Sequence, residues 1–183
     1  MFIQTEQTPN PATLKFLPGR VVLERGTRDF PTADTAHLSP LAEELFRIQG
    51  VAGVFLGSDF ITVTKDDRFD WPVLKPMILA AIMDHFTAAR PTVLDAGAEE
   101  PAAESADSEV VSQIKELLET RVRPAVAQDG GDIVFKGFED GVVLLSLKGS
   151  CSGCPSSTAT LKAGIENLLK HYVPEVREVR QVA

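Results

Sequence analysis

The sequence predicts an α+β protein of two small domains joined by a flexible linker, and three observations support this fold class. Helix-like and strand-like apolar patterns follow one another along the chain, with repeats of about 3.6 and about 2 residues. These patterns fall into two groups, residues 1–90 and residues 109–183. Residues 91–108 between them hold five acidic residues and no basic or aromatic residue, a composition that cannot bury enough apolar surface to fold.

The first predicted domain begins with strands and turns. Residues 1–12 are polar and are expected to be extended. Residues 13–17 alternate between apolar and polar side chains, which predicts a strand. A short apolar run at residues 21–23 follows a Pro–Gly turn, and we expect it to pair with that strand. Residues 26–39 show no apolar repeat and are predicted to be turns, whereas residues 51–64 hold two strands around a Gly–Ser–Asp turn, the pattern of a β-hairpin.

Two helices complete the first predicted domain. Residues 40–49 are expected to form the first helix, with Ser39 as its N-cap. Residues 71–90 are expected to form the second, with Asp70 as its N-cap. Apolar residues recur at helical spacing along the second helix, which predicts that one side is buried. These residues are Leu74, Ile78, Ile82 and Phe86.

The second predicted domain has the element order α-β-β-α-β, which fits a three-stranded sheet with helices on one face. Its first helix has Ser108 as the predicted N-cap and is expected to end before Pro124. An Asp–Gly turn joins the first two strands, as is typical of a β-hairpin. The predicted elements are a helix at residues 109–123, strands at residues 133–138 and 142–147, a helix at residues 155–172 and a strand at residues 176–182.

Charge and apolar content argue against two classes of partner. The net charge is −8, and the chain has no run of basic residues that could follow a phosphate backbone. We therefore do not expect nucleic acid as a partner. The longest apolar run, residues 77–83, is far shorter than the ~20 residues that span a bilayer, so we expect no membrane. The first residues have neither the basic start nor the apolar core of a signal peptide, which predicts an intracellular protein. In such a protein, cysteines are more often metal ligands or redox groups than structural disulfides.

The two cysteines, Cys151 and Cys154, form a single C-x-x-C motif in a loop rich in glycine and serine. This loop lies between a predicted strand and a predicted helix. A helix N-terminus favours a thiolate over a thiol, and the thiolate is the form that binds a metal or attacks a disulfide. The small neighbouring residues would also let a ligand or a partner approach closely.

Three interpretations of the pair stay open from the residues alone. The cysteines could be inert core residues, although their glycine and serine neighbours make no apolar pocket. They could be the dithiol of a thioredoxin-like protein, although the strand before them belongs to a hairpin and not to a βαβ unit. They could bind zinc or an iron–sulfur cluster, both of which commonly need four ligands.

A metal site would need ligands from a second chain. The histidines, His37, His85 and His171, are scattered and match no zinc spacing, so we expect them to be structural. Each chain then supplies two thiolates, and two chains supply four on a two-fold axis. A metal group held only at such an interface is divisible, and we expect it to be transferable.

The motifs around the cysteine pair resemble those of the C-terminal domain of NifU, the Nfu domain, over about residues 109–182. Residues 4–16 resemble the Nfu N-terminal domain that accompanies it in mitochondrial and α-proteobacterial members. The two domains of this family would together account for nearly everything but the linker. The C-terminal motifs are Val122-Arg-Pro124, Asp129-Gly-Gly-Asp132, Asp140-Gly141, Gly149-x-Cys-x-x-Cys-Pro-Ser-Ser-Thr158, Thr160-Leu-Lys-x-Gly-Ile-Glu166 and Pro174-Glu-Val176.

The resemblance implies an iron–sulfur cluster carrier or scaffold and not an enzyme. It implies that Cys151 and Cys154 are ligands of a [4Fe–4S] cluster shared across a homodimer, with [2Fe–2S] as the alternative cluster. The implied partners are a second copy of the chain, an upstream cluster-assembly scaffold, and recipient apo-proteins of the lipoyl synthase or aconitase type. Because no targeting sequence is visible, a bacterial cytoplasmic protein is expected. The alternative function is a thioredoxin-like thiol–disulfide oxidoreductase that uses the same two cysteines.

Overall fold

The structure is a computed structural model whose described residues form two compact units, each with its own apolar core. Both units contain helices and strands, which confirms the predicted α+β fold class with two small domains. Among the described helices, none is long and apolar enough to cross a membrane. The units are Met1–Glu99 and Glu100–Ala183, and the described residues are 2–94, 109–151 and 155–182, with the backbone alone for residues 155–157.

The predicted linker, residues 91–108, lies largely outside the described residues, but its first residues are held to the first unit. The Ser39 hydroxyl donates a hydrogen bond to the Thr92 carbonyl oxygen at 2.5 Å. The Leu94 amide donates to the Leu38 carbonyl oxygen at 2.8 Å. The described part of this segment therefore continues the first unit.

The first unit is an antiparallel five-stranded sheet with the strand order β1-β2-β5-β4-β3. Its two helices bury one apolar side each, and Leu41, Ile78 and Ile82 reach the same core as Phe16 and Ile61 of the sheet. The elements are β1 (Gln4–Gln7), β2 (Thr13–Leu17), β3 (Arg28–Phe30), a 3-10 turn (Ala33–Leu38), α1 (Pro40–Phe46), β4 (Val51–Leu56), β5 (Ile61–Lys65) and α2 (Trp71–Thr87).

Both edges of this sheet differ from the prediction. The polar start of the chain contains the strand β1, whose side chains are mostly exposed, so no apolar alternation marks it. Residues 21–23 are not a strand: the amides of Val22 and Leu23 both donate to the Ser58 carbonyl oxygen, at 2.7 and 3.2 Å. The sheet instead adds β3, three residues from the segment predicted to be turns, and pairs it with β4.

The second unit confirms the predicted element order. Its sheet has the strand order β6-β7-β8, with β6 and β7 antiparallel and β7 and β8 parallel. Buried residues alternate along β7 at Val143, Leu145 and Leu147, and all three belong to one core with residues of the helices. The elements are α3 (Glu109–Leu117), a π-helical turn (Leu118–Val122), α4 (Arg123–Gln128), β6 (Gly131–Glu139), β7 (Val142–Gly149), α5 (Pro155–Tyr172) and β8 (Glu178–Gln181).

The helical segment before β6 is longer than predicted, and its predicted N-cap Ser108 lies outside the described residues. We expected it to end before Pro124, but that proline lies in the first turn of α4, directly after the π-helical turn. Four buried residues recur every fourth position here, and on a regular α-helix each such step drifts by about 40°. The wider π-helical turn takes up this drift and keeps all four in the core. They are Ile114, Leu118, Val122 and Val126.

Candidate metal centre

Cys151 lies directly after β7, where the chain leaves the sheet and runs toward α5. Gly149 ends that strand with a positive φ of 68°, a conformation that favours glycine. Cys151 is only 6% exposed and belongs to the apolar core of the second unit. Cys154, the second predicted ligand, lies outside the described residues. The structure therefore describes one of the two predicted ligands, and it places that ligand inside the protein.

Gly131, at the start of β6, makes the closest approach to the thiol. A Cβ atom added to this glycine would lie 2.6 Å from the Cys151 Sγ and 2.8 Å from the Lys148 carbonyl oxygen. Gly131 pairs with Gly149 across the β6–β7 ladder, so two residues without side chains lie opposite each other next to Cys151. Gly130 and Gly141 have positive φ, at 78° and 80°, a conformation that favours glycine. Gly131 does not, and the close contact explains why it is glycine.

Hydrogen bonds hold the residues on both sides of the thiol. The Ser150 amide donates to the Gly130 carbonyl oxygen at 3.3 Å, and the Ser150 hydroxyl donates to the Asp129 carbonyl oxygen. On the other side, the Thr158 hydroxyl of α5 donates to the Cys151 carbonyl oxygen at 3.0 Å. The backbone at Cys151 is thus tied both to the turn before β6 and to α5.

A charged pair fixes the beginning of β6. The Arg123 guanidinium donates two hydrogen bonds to the Asp132 carboxylate, Nε to Oδ1 and Nη2 to Oδ2, each at 3.0 Å. The Asp132 carboxylate also accepts the Ile133 amide at 2.8 Å. Asp132 is buried, and its carboxylate is the main cause that raises the pKa of Arg123. Sequence reasoning included both charged residues in a family motif but assigned them no role.

The electrostatics of Cys151 differ from the expectation for a helix N-terminus. The pKa of the Cys151 thiol is raised to about 11, chiefly by burial; a hydrogen bond with Ser150 opposes the rise, and the carboxylates of Asp129 and Asp132 add to it. Burial disfavours the charged thiolate, so the shift is opposite in direction to the one expected for a helix N-terminus. The expectation that the flanking glycines and serines exclude an apolar pocket is also wrong for this cysteine, since it lies in the core.

The three histidines do not form a set of metal ligands. The His37 Nδ1 lies 2.9 Å from the Asp34 carbonyl oxygen in the 3-10 turn, and His85 is buried in α2 of the first unit. His171 lies in the last turn of α5 and makes an edge contact with Tyr172. Among the described residues, no three His, Cys, Asp or Glu side chains are grouped closely enough to hold a metal ion.

Two family models match the chain, one on each unit. The model described as "Scaffold protein Nfu/NifU N terminal" matches residues 3–89. The model described as "NifU-like domain" matches residues 114–180. A solved NifU-like protein from Saccharomyces cerevisiae is similar with 25% identity and a TM-score of 0.46, over 51% of this chain and 84% of its own. The family assignment does not depend on that likeness.

Curated relatives match the chain over nearly its whole length. The human "NFU1 iron-sulfur cluster scaffold homolog, mitochondrial" is 57% identical over 183 residues, which cover 100% of this chain and 72% of the relative. The relative of the same name from Drosophila sechellia is 55% identical, covering 100% of this chain and 65% of its own. The "NifU-like protein 4, mitochondrial" of Arabidopsis thaliana is 55% identical, covering 99% and 66%.

These relatives also correct one expectation. A bacterial cytoplasmic protein was predicted from the first residues of the sequence, but the human, fly and plant relatives are all named as mitochondrial. The prediction of a bacterial cytoplasmic location is therefore wrong. At 57% identity over 72% of the human protein, with both family models matched in order, this chain belongs to the Nfu/NifU-like family.

Proposed function

We propose that this chain is an iron–sulfur cluster carrier that binds a [4Fe–4S] cluster between two copies of itself and passes the cluster to apo-proteins. The cluster is the cargo of the protein. Membership of a family whose relatives are named as iron–sulfur cluster scaffolds supports this role. The observation that carries the proposal is the position of Cys151 just after β7 and ahead of α5, with Gly131 next to its thiol.

The number of thiols supports a shared site. Iron–sulfur clusters are commonly held by four cysteine thiolates, and the sequence has two cysteines. Two copies related by a two-fold axis would supply Cys151 and Cys154 twice. Cys151 and Cys154 are thus the proposed ligands, and a [2Fe–2S] cluster is the alternative cargo with the same ligand count.

Loading and release would both be ligand exchange at the two cysteines. Each thiol loses its proton when it binds iron, because the thiolate is the ligand. Cys151 also has to leave its buried position, since a ligand shared between two chains must reach the surface. Release would proceed as thiolates of the recipient replace Cys151 and Cys154 one at a time.

The proposed partners follow from this cycle. An upstream cluster-assembly scaffold would supply the cluster, and apo-proteins of the lipoyl synthase or aconitase type would receive it. We also propose that the first unit, which has no cysteine, docks partners and so raises the effective concentration of the cluster near them. Unchanged transfer to every recipient after deletion of residues 1–90 would remove this part of the proposal.

Anaerobic reconstitution with iron and sulfide tests the carrier function. The expected product is a brown dimer with about four iron atoms per two chains, measured by iron analysis and native mass spectrometry. Cys151→Ser and Cys154→Ser should each abolish the cluster and the dimer that depends on it, while circular dichroism stays unchanged. A full cluster on either single variant would contradict the symmetric four-cysteine site.

A thiol–disulfide oxidoreductase is the competing function, and the described cysteine does not favour it. The attacking cysteine of such proteins is partly exposed and has a lowered pKa, whereas Cys151 is buried and its pKa is raised to about 11. A colourless monomer that reduces disulfides at a rate dependent on both cysteines would support the oxidoreductase and overturn the carrier.

A further inference from the structure

We propose that Gly131 is a positioning residue for Cys151: it leaves the space in which the thiol lies while the chain carries no cluster. The thiol is thereby sheltered until iron and sulfide arrive. The consequence for loading, that the thiol must leave this space to bind a cluster, rests on the proposed function. The sheltering itself does not.

The backbone conformation at position 131 does not require a glycine. Its φ lies outside the left-handed region, so another residue could adopt it. Glycine inside a strand weakens the strand, because it has no side chain to pack and loses more entropy on folding. The structure offers a reason for this cost, because an added Cβ atom would meet the Cys151 side chain and the Lys148 carbonyl oxygen.

The contact between Gly131 and Cys151 leaves no room for even a methyl group at position 131. An added Cβ would lie 2.6 Å from the Cys151 Sγ and 3.1 Å from its Cβ, well inside the ~3.5–4.0 Å of an ordinary non-bonded carbon contact. The carbonyl oxygen of Lys148 is 2.8 Å away on the adjoining strand. A side chain at this position must therefore expel the thiol or separate β6 from β7.

Hydrogen bonds on both sides hold the backbone at Cys151 in place. Ser150 is tied to Gly130 and Asp129, and the Cys151 carbonyl oxygen is tied to Thr158. With the backbone held, rotation of the side chain is the movement by which we expect Sγ to leave the core. The resting position and the exposed position thus differ mainly by one side-chain rotation, and Gly131 makes the resting position available.

The test measures the rate at which Cys151 reacts with iodoacetamide in the full-length, cluster-free chain. All variants carry Cys154→Ser, so that one thiol is read. Gly131→Ala is expected to speed the reaction by about tenfold, which corresponds to about 1.4 kcal/mol in the equilibrium between sheltered and exposed thiol. No acceleration in a variant that keeps its circular dichroism spectrum would overturn the proposal.

Two glycines of the same unit serve as matched controls. Gly164 in α5 has open space around an added Cβ, so Gly164→Ala should leave the alkylation rate unchanged. Gly141 lies at the opposite end of the β6–β7 hairpin, has a φ of 80° and would press on the Arg177 side chain at 2.8 Å. Gly141→Ala should destabilise the unit without exposing the thiol. The two variants are compared at urea concentrations that give them equal stability. If Gly131→Ala and Gly141→Ala then speed the alkylation of Cys151 equally, Gly131 has only a general structural role, and the proposal is overturned.

A double-mutant cycle covers the case in which Gly131→Ala does not fold. Removing Sγ with Cys151→Ala should lessen the destabilisation caused by Gly131→Ala, so the two changes together should cost less than their sum. Recovery of folding in the double variant supports the proposal. Additive costs, or a double variant that also fails to fold, would show that the Lys148 backbone alone requires the glycine. A wild-type chain that binds no iron would refute the carrier function and leave these thiol measurements standing.

Discussion

The two units differ in where they place their buried polar side chains. In the first unit these are spread over several elements, such as Thr13 on β2, Ser39 before α1 and His85 on α2. In the second unit, two of the three described ones, Asp132 and Ser150, are neighbours in sequence of Gly131 and Cys151. Asp132 accepts hydrogen bonds from Arg123 at the start of β6, and Ser150 donates one to the Asp129 carbonyl oxygen next to the thiol. A buried polar group is costly unless it is hydrogen-bonded. The second unit thus places two such groups next to Cys151, at the site where we expect function.

The first unit shows the contrasting case. Both ring nitrogens of His85 are buried without a hydrogen-bond partner, although Nδ1 lies 3.4 Å from the Glu44 Oε2. Glu44 is instead bonded to Arg90. The first unit thus tolerates an unsatisfied buried group far in sequence from any thiol, whereas the polar groups beside Cys151 are satisfied.

The largest effects are expected from truncating one fully buried residue in each unit. Ile78 and Leu169 are both 0% exposed, so Ile78→Ala and Leu169→Ala should each lower the free energy of unfolding of their own unit by about 2–5 kcal/mol. Trp71 is the only tryptophan, so its fluorescence in urea reports the unfolding of the first unit. Hydrogen exchange reports the unfolding of the second unit. Iron bound after reconstitution should fall for Leu169→Ala only, and an equal loss for Ile78→Ala would break the contrast between the units.

The next effect concerns the charged pair beside the thiol. Arg123→Met would remove the guanidinium that pairs with the buried Asp132 carboxylate and should destabilise the second unit by about 3 kcal/mol. The control is Glu119→Gln, because Glu119 bonds the same guanidinium at 2.7 Å but its side chain is 66% exposed. That change should cost less than about 1 kcal/mol. Urea unfolding followed by hydrogen exchange measures both, and similar costs would contradict the role of Asp132 as the anchor.

A smaller effect is expected from acid on the first unit. Burial lowers the pKa of His85, and the Glu44 carboxylate opposes this shift. The unfolded chain takes up a proton at histidine near pH 6.5, so it binds more protons than the folded chain below that pH. The free energy of unfolding should therefore fall as the pH drops below about 6.5, by at most about 1.4 kcal/mol per pH unit. It should not fall in this way above that pH.

Urea titrations of Trp71 fluorescence between about pH 7 and about pH 5 measure this slope. His85→Phe should flatten it, whereas His171→Gln in the second unit should leave it unchanged. If the slope survives in His85→Phe, the acid sensitivity of the first unit comes from other groups.

The smallest effect compares two helix starts within the first unit. The Ser39 hydroxyl accepts the Ala42 amide at 3.1 Å, which confirms it as the N-cap of α1. Asp70, the predicted N-cap of α2, makes no such side-chain bond. Ser39→Ala should cost about 1 kcal/mol, and Asp70→Ala distinctly less. Thermal unfolding of the two variants decides, and equal shifts would show that the Ser39 bond contributes nothing measurable.

Much of this molecule follows from local pattern. The helix α2 and the β6–β7 hairpin were predicted close to their observed bounds, because apolar spacing and an Asp–Gly turn are properties of neighbouring residues. The strands β1 and β3 were not, since a polar edge strand is stabilised by pairing with residues that are distant in sequence. The extension of the first helix of the second unit through Pro124 was missed for a similar reason. The π-helical turn is stabilised by packing in the core, and local sequence preference does not indicate it.

The sequence by itself determined that this chain has two thiols in one C-x-x-C motif, between a strand and a helix, in the second of two small α+β domains. Only the tertiary structure decided the state of Cys151, the thiol it describes. The fold packs that side chain against Gly131 and into an apolar core, where burial disfavours the charged thiolate. Burial depends on every element that surrounds a residue, so no local pattern could have shown it.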